Sequence, residues 1–169
     1  MAYCVLRTDN PSSVDQRADL RSVRMYDGTG NNANQIAAEN GVIVKIGALE
    51  DGQREVYTAT FASSSDNLSE CAVLNGVELF YDESRKHYLD EWINPKGQAT
   101  RARLLRSNNL YSWTKEGFVN EAVPAVGGAV GIGTNGKLDA SGTGFGVCEH
   151  IETIGRYTFY MIKIGVVEA

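Results

Sequence analysis

ENGVIVKIGALEDGQREVYTAT, residues 39 to 60, reads as two β-strands joined by a short polar turn. Asn40-Gly41 opens it as turn punctuation, after which Val42, Val44 and Ile46 point one way while Ile43 and Lys45 point the other. Gly47-Ala48-Leu49 ends the first run. Glu50-Asp51-Gly52 supplies a residue able to take positive φ, and Arg54-Glu55-Val56-Tyr57-Thr58 resumes with β-formers alternating with charge. A lone hairpin is marginal in water, so its apolar face (Val42, Val44, Ile46, Val56, with Leu49 at the rim) has to be covered by further strands.

The chain on the C-terminal side offers those strands. Cys71-Ala72-Val73-Leu74 is a short apolar run ending at Asn75-Gly76, and Val77 to Tyr81 alternates, so the two are expected to pair as a hairpin. Glu83 to Trp92 has an acidic start and apolar residues at helical spacing, and predicts one short helix stopped by Asn94-Pro95. Gln98 to Leu105 and Asn109 to Thr114 return to the strand pattern, with Ala102, Leu104, Leu110 and Trp113 as core candidates, and Lys115 to Val119 predicts one helical turn. Val123 to Gly146 is too rich in glycine for a helix, and Asn135-Gly136 reads as a hairpin tip. Gly146 to Ile154 and Tyr157 to Val167 close the series, the latter expected to be central or paired with another subunit.

The N-terminal side is different. Residues 1 to 38 are broken at Asp9-Asn10-Pro11-Ser12-Ser13 and again at Asp27-Gly28-Thr29-Gly30-Asn31-Asn32, with a segment between that fits neither period cleanly. They predict an extended arm before a β-rich domain spanning 39 to 169. In that arm Arg17, Arg21 and Arg24 suit an acidic partner surface, with Leu20, Val23 and Met25 as apolar anchors. The fold class expected is mainly β, a small barrel or sandwich with one short helix and an extended N-terminal arm.

With 169 residues, 43% hydrophobic and 22% charged, the chain suits a single core. A net charge of −5 argues against general nucleic-acid binding, which needs a basic surface to release counterions. No run of about 18 apolar residues is present, so no membrane span is expected, and Met1 to Leu6 lacks the build of a signal peptide. Cytosolic synthesis as a soluble protein is the expectation. Cys4, Cys71 and Cys148 are odd in number, far apart and without metal spacing, and read as buried free thiols.

Motifs for chemistry fail on context. Gly131-Ile132-Gly133-Thr134-Asn135-Gly136 satisfies G-x-G-x-x-G, and Lys137 nearly completes a P-loop. Yet Leu138 stands where Ser or Thr would hold magnesium, and no helix follows to aim amides at phosphate; a flexible loop and hairpin tip is the plainer reading. His87 and Glu91, at i, i+4, read as a solvated helix surface rather than a metal site. Cys148 and His150 share a strand face at i, i+2, with nothing to orient the imidazole or build an oxyanion hole. No cofactor, no metal and no enzymatic activity are expected.

The order of elements resembles the small head proteins encoded beside the major capsid protein of tailed bacteriophages, the capsid decoration or cement proteins. The residues that carry it are Glu39 to Val44 with Ile46 to Leu49, Gly52 to Tyr57, Val77 to Glu83, Lys96 to Ala102 and Ile151 to Arg156. The resemblance implies a β-rich virion structural protein that clamps the outside of an expanded capsid, with the major capsid protein as partner, often as a homo-oligomeric trimer. A stand-alone β-barrel module, binding a small ligand or acting as a minor hydrolase, is the competing expectation. A deep pocket with convergent polar groups would favour the module, and a flat apolar patch near the barrel base with a disordered free arm the structural protein.

Overall fold

The computed structural model describes residues 2–7, 19–28, 34–81, 84 and 87–165. Five strands, β1 (Leu20–Met25), β2 (Ile43–Leu49), β3 (Val56–Phe61), β4 (Cys71–Leu74) and β5 (Thr100–Leu104), close a barrel in the order β1-β3-β2-β4-β5. Five more, β6 (Leu110–Trp113), β7 (Ala129–Ile132), β8 (Leu138–Asp139), β9 (Gly146–Ile154) and β10 (Tyr157–Ile164), form a second sheet in the order β6-β10-β9-β7-β8. The protein is mainly β, and its helical content among the described residues is short 3-10 turns.

The hairpin from residue 39 onward is present. β2 and β3 pair antiparallel with a bulge between Ile46 and Leu49. Its faces differ from expectation on β3, where Tyr57, Ala59 and Phe61, rather than Val56, join the barrel core. The barrel is narrow, and its lining is correspondingly small: Ala59, Ala72 and Ala102 are buried beside Val23, Val44 and Leu74. The alternate residues of β2 and β4 face the other way. Ile43, Cys71 and Val73 pack with Trp113, Phe118, Leu138 and Phe145 in a second core under the second sheet. β4 is therefore buried on both faces, which is why Cys71-Ala72-Val73-Leu74 is continuously apolar rather than alternating.

Trp113 sits at the centre of the second core, and its Nε1 donates to the carbonyl of Gly41 at 2.8 Å. Gly41 takes φ +86°, and a Cβ there would lie 2.8 Å from Cys4 Sγ and 2.9 Å from the indole, so this position requires glycine. At the open end of β2, Glu50 is buried and its carboxylate accepts from the Tyr26 hydroxyl and the Arg24 guanidinium.

The expectation of an arm detached from the domain is corrected. Cys4, Val5 and Leu6 are buried, Leu6 bridges to Trp113, and Thr114 N donates to Val5 O at 3.2 Å. β1 is indeed extended, but it runs parallel to β3 and antiparallel to β5, and without it the barrel would not close. Leu20-Arg21-Ser22-Val23-Arg24-Met25 is polar enough to look like a free segment because one of its faces is solvated; the other puts Val23 and Met25 into the barrel.

Two further expectations change. Val77 to Tyr81 does not pair with β4, whose two sides are already occupied by β2 and β5. The helix expected over Glu83 to Trp92 falls partly on residues 83, 85 and 86, which lie outside the described residues. Of the remainder only Leu89–Glu91 forms one 3-10 turn, because Tyr88 is extended (φ −116°, ψ 153°), its ring held beneath the Arg156 guanidinium at 4.1 Å. β9 and β10 lie close to their expected limits, with β10 central between β6 and β9.

Candidate functional site

Where β4 ends, the chain is pinned and then released. Asn75 N donates to Arg101 O at 2.8 Å, and Gly76 N donates to Asn40 Oδ1 at 2.8 Å. Asn40 Oδ1 also accepts from Asn94 Nδ2, while Asn94 Oδ1 accepts from Thr100 Oγ1 at 2.9 Å. This buried amide cluster lies flat against Gly76, where any Cβ would overlap Asn94 and Thr100. Satisfied polar groups of this kind fix one backbone path.

Beyond Gly76 the side chains alternate with the period of a strand. Glu78 turns in and accepts from Asn40 Nδ2 at 2.9 Å; Phe80 stacks on His87 (centroids 4.4 Å apart, planes within 9°) and meets Trp92 edge-on at 5.3 Å. Val77, Leu79 and Tyr81 turn out and are 45%, 52% and 90% exposed. Residues 77 to 81 make no backbone hydrogen bond to any described residue. They form one wall of an open groove of about 440 Å³, whose other side includes Trp92, Pro95, Thr100 and Arg101. The Arg101 guanidinium is exposed and has no partner among the described residues, and the Trp92 Nε1–H is buried with no acceptor. The 3-10 turn that leads into Trp92 is anchored to the β9–β10 hairpin, since Tyr157 Oη donates to Asp90 Oδ1 at 2.9 Å and Arg156 pairs with Asp90 at 3.2 Å.

The six residues expected to contact a partner are distributed otherwise. Arg17 lies outside the described residues. Val23 and Met25 are core residues and cannot be surface anchors, and the Arg24 charge is taken up by Glu50. Leu20 and Arg21 are half-buried on β1, with Arg21 Nη1 donating to Leu20 O at 2.9 Å. What the segment does contribute is Ser22, which sits opposite Arg101 in the β1–β5 register and lines the groove. The sequence signal for the groove is the alternation at 77 to 81, but the apolar set faces outward with Glu78 inward, and the pairing with β4 expected of the segment is absent.

The remaining candidates are packed rather than poised for chemistry. Lys137 links the Thr134–Gly136 turn to β8 and opens no helix; it pairs with Glu39 at 2.8 Å and donates to Glu116 O at 2.8 Å. The glycine-rich stretch carries the hairpin expected at Asn135-Gly136, β7 and β8 pairing antiparallel across a 3-10 turn at Thr134–Gly136; Ile132, Gly136 and Leu138 are buried, and Gly131 and Gly142 pack backbone to backbone. His87 Nδ1 does lie 3.3 Å from Glu91 Oε2, but against Phe80 instead of on a solvated helix. The register shift between Met161 and Ile162 sends Cys148 into the core and leaves His150 exposed, so they do not share a face. All three thiols are free and buried, and burial pushes each upward, Cys71 to about 11 and Cys4 further still, with Glu39 adding to the effect at Cys4. Among the described residues no group of three His, Cys, Asp or Glu is gathered as a metal site.

Fold and site together define a closed five-stranded β-barrel carrying a second sheet, with a strand-like edge exposed beside a groove. Compared with known proteins, the chain matches no protein-family model, no curated protein and no solved structure.

Proposed function

We propose that this chain is a virion structural protein, a capsid decoration protein that docks on the outer surface of a tailed-phage head built from a major capsid protein and stabilises the shell. It acts by binding, not by catalysis, and works as a homo-oligomer, a trimer by preference. The observation that carries the reading is the row Val77, Leu79 and Tyr81, which exposes apolar surface from a backbone tied down on its other side by Asn40, His87 and Trp92. Exposed apolar rows on a rigid β scaffold are characteristic of surfaces that bind protein. With Val23 and Met25 inside the barrel, attachment passes from the N-terminal segment to this barrel surface.

The test is co-sedimentation with expanded, undecorated shells. The full chain pellets with them, and Leu79→Asp with Tyr81→Asp, both at exposed positions, lowers the bound fraction without changing the unfolding midpoint. A full chain that stays in the supernatant at every shell concentration removes the reading.

A further inference from the structure

The edge at residues 77 to 81 offers more than apolar side chains. Its peptide groups are unused by the rest of the described fold, and its side chains already alternate as along a strand. Backbone N–H and C=O groups arranged this way are a template for another strand, the mode by which sheet edges capture peptides. One polar group in the same groove lacks a partner among the described residues as well: the Arg101 guanidinium is an exposed cation with no counter-ion among them.

We infer that this groove is a strand-addition site for an extended segment of a partner protein, one that lays alternate apolar side chains over Val77, Leu79 and Tyr81 and presents a carboxylate to Arg101. The occupant is foreign rather than a second copy of the same edge. In a self-pair, the one carboxylate within Val77 to Tyr81 is Glu78, which faces inward and is held by Asn40 Nδ2, so the five paired residues bring no acid to Arg101 and a second copy would have to draw on Asp82 or Glu83 beyond them. A partner segment with an Asp or Glu in register supplies both the backbone pairing and the missing charge, and a charge-assisted bond to guanidinium fixes that register.

The experiment probes the full chain with an array of synthetic extended peptides. In each, valine or isoleucine alternates with threonine, and a single central residue is aspartate or lysine. Aspartate peptides are retained and their lysine counterparts are not; Arg101→Glu lowers retention of the aspartate set by about tenfold, the scale of one lost charge-assisted bond, and favours the lysine set. Hydrogen exchange with the best peptide bound shows slowed amides at 77 to 81, an effect abolished when the peptide's alternate backbone nitrogens are methylated. Equal retention of the two sets, or retention with unchanged exchange at 77 to 81, overturns the inference. So does a dimer of the free chain with those amides already protected, which would give the edge to a second copy. The inference goes beyond the shell reading and separates from it cleanly: shells that bind the chain without slowing exchange at 77 to 81 leave that reading standing and remove this one.

Discussion

Met25→Ala separates a barrel strand from a docking arm. Met25 lies opposite Ala59 in the β1–β3 register, is almost fully buried, and points into an interior whose other linings include Ala72 and Ala102. Removing a buried methionine side chain costs about 2 to 5 kcal/mol, the spread depending on how far neighbours collapse into the space. Three alanines have no length to extend and a closed barrel cannot tighten, so the loss is expected in the upper half, about 3 to 5 kcal/mol. With a urea slope of roughly 1 to 3 kcal/mol per molar, the unfolding midpoint moves down by more than about 1 M. Ser22→Ala, on the exposed face of the same strand, is the control and stays within about 0.5 kcal/mol. Urea unfolding followed by the fluorescence of Trp92 and Trp113 reads both. A Met25→Ala midpoint equal to that of Ser22→Ala would mean that β1 is not part of the folded barrel, and the reasoning would fail.

Gly41→Ala forces a side chain into a positive-φ position against Cys4 and the Trp113 indole, and is expected to cost about 1 to 3 kcal/mol or more with a changed near-ultraviolet tryptophan signal; unchanged stability would remove the steric argument. The Tyr26 hydroxyl, followed by the Arg24 guanidinium, holds the Glu50 carboxyl below its ordinary range against the opposing effect of burial. A carboxylate lowered on folding stabilises the protein above its unfolded pKa and loses that contribution as the pH falls through the folded value. Wild type should therefore exceed Glu50→Gln in urea midpoint at neutral pH, with the gap narrowing on acidification below about pH 4.5, the ordinary carboxyl value; a gap that is constant with pH refutes the clamp. A thiol-reactive dye at pH 8 should label none of Cys4, Cys71 and Cys148 in the native protein and all three in denaturant, and native labelling at any of them contradicts its burial.

Much of the fold was legible because strands announce themselves by period. The hairpin at 39 to 60, the limits of β9, the central place of β10 and the buried thiols all follow from local alternation and composition. What was lost depends on neighbours far away in sequence. Val77 to Tyr81 has the same alternation as β3, and nothing local reveals that both sides of β4 are taken by β2 and β5. Leu20 to Met25 reads as part of an arm because a strand with one solvated face, flanked by breakers, has the composition of a tail; its partners begin at residues 56 and 100. The candidate groove shared that fate. Its walls come from residues 22, 77 to 81, 92 to 95 and 98 to 101, four stretches whose adjacency is a product of barrel closure.

The buried contact between Leu6 and Trp113 sets a timetable for the ribosome. More than a hundred residues separate the two, so at roughly 5 to 20 residues per second the early segment waits on the order of 5 to 20 s for its docking strand to be made. Barrel closure likewise awaits β5, and the second sheet cannot be assembled until β10, the last strand described, slides between β6 and β9. Such long-range pairing is slow in any β topology. Through this interval the nascent chain carries the open flanks of β2, β3 and β4 past other copies of itself, so its yield in cells should depend more on expression rate and temperature than on the stability of the finished protein.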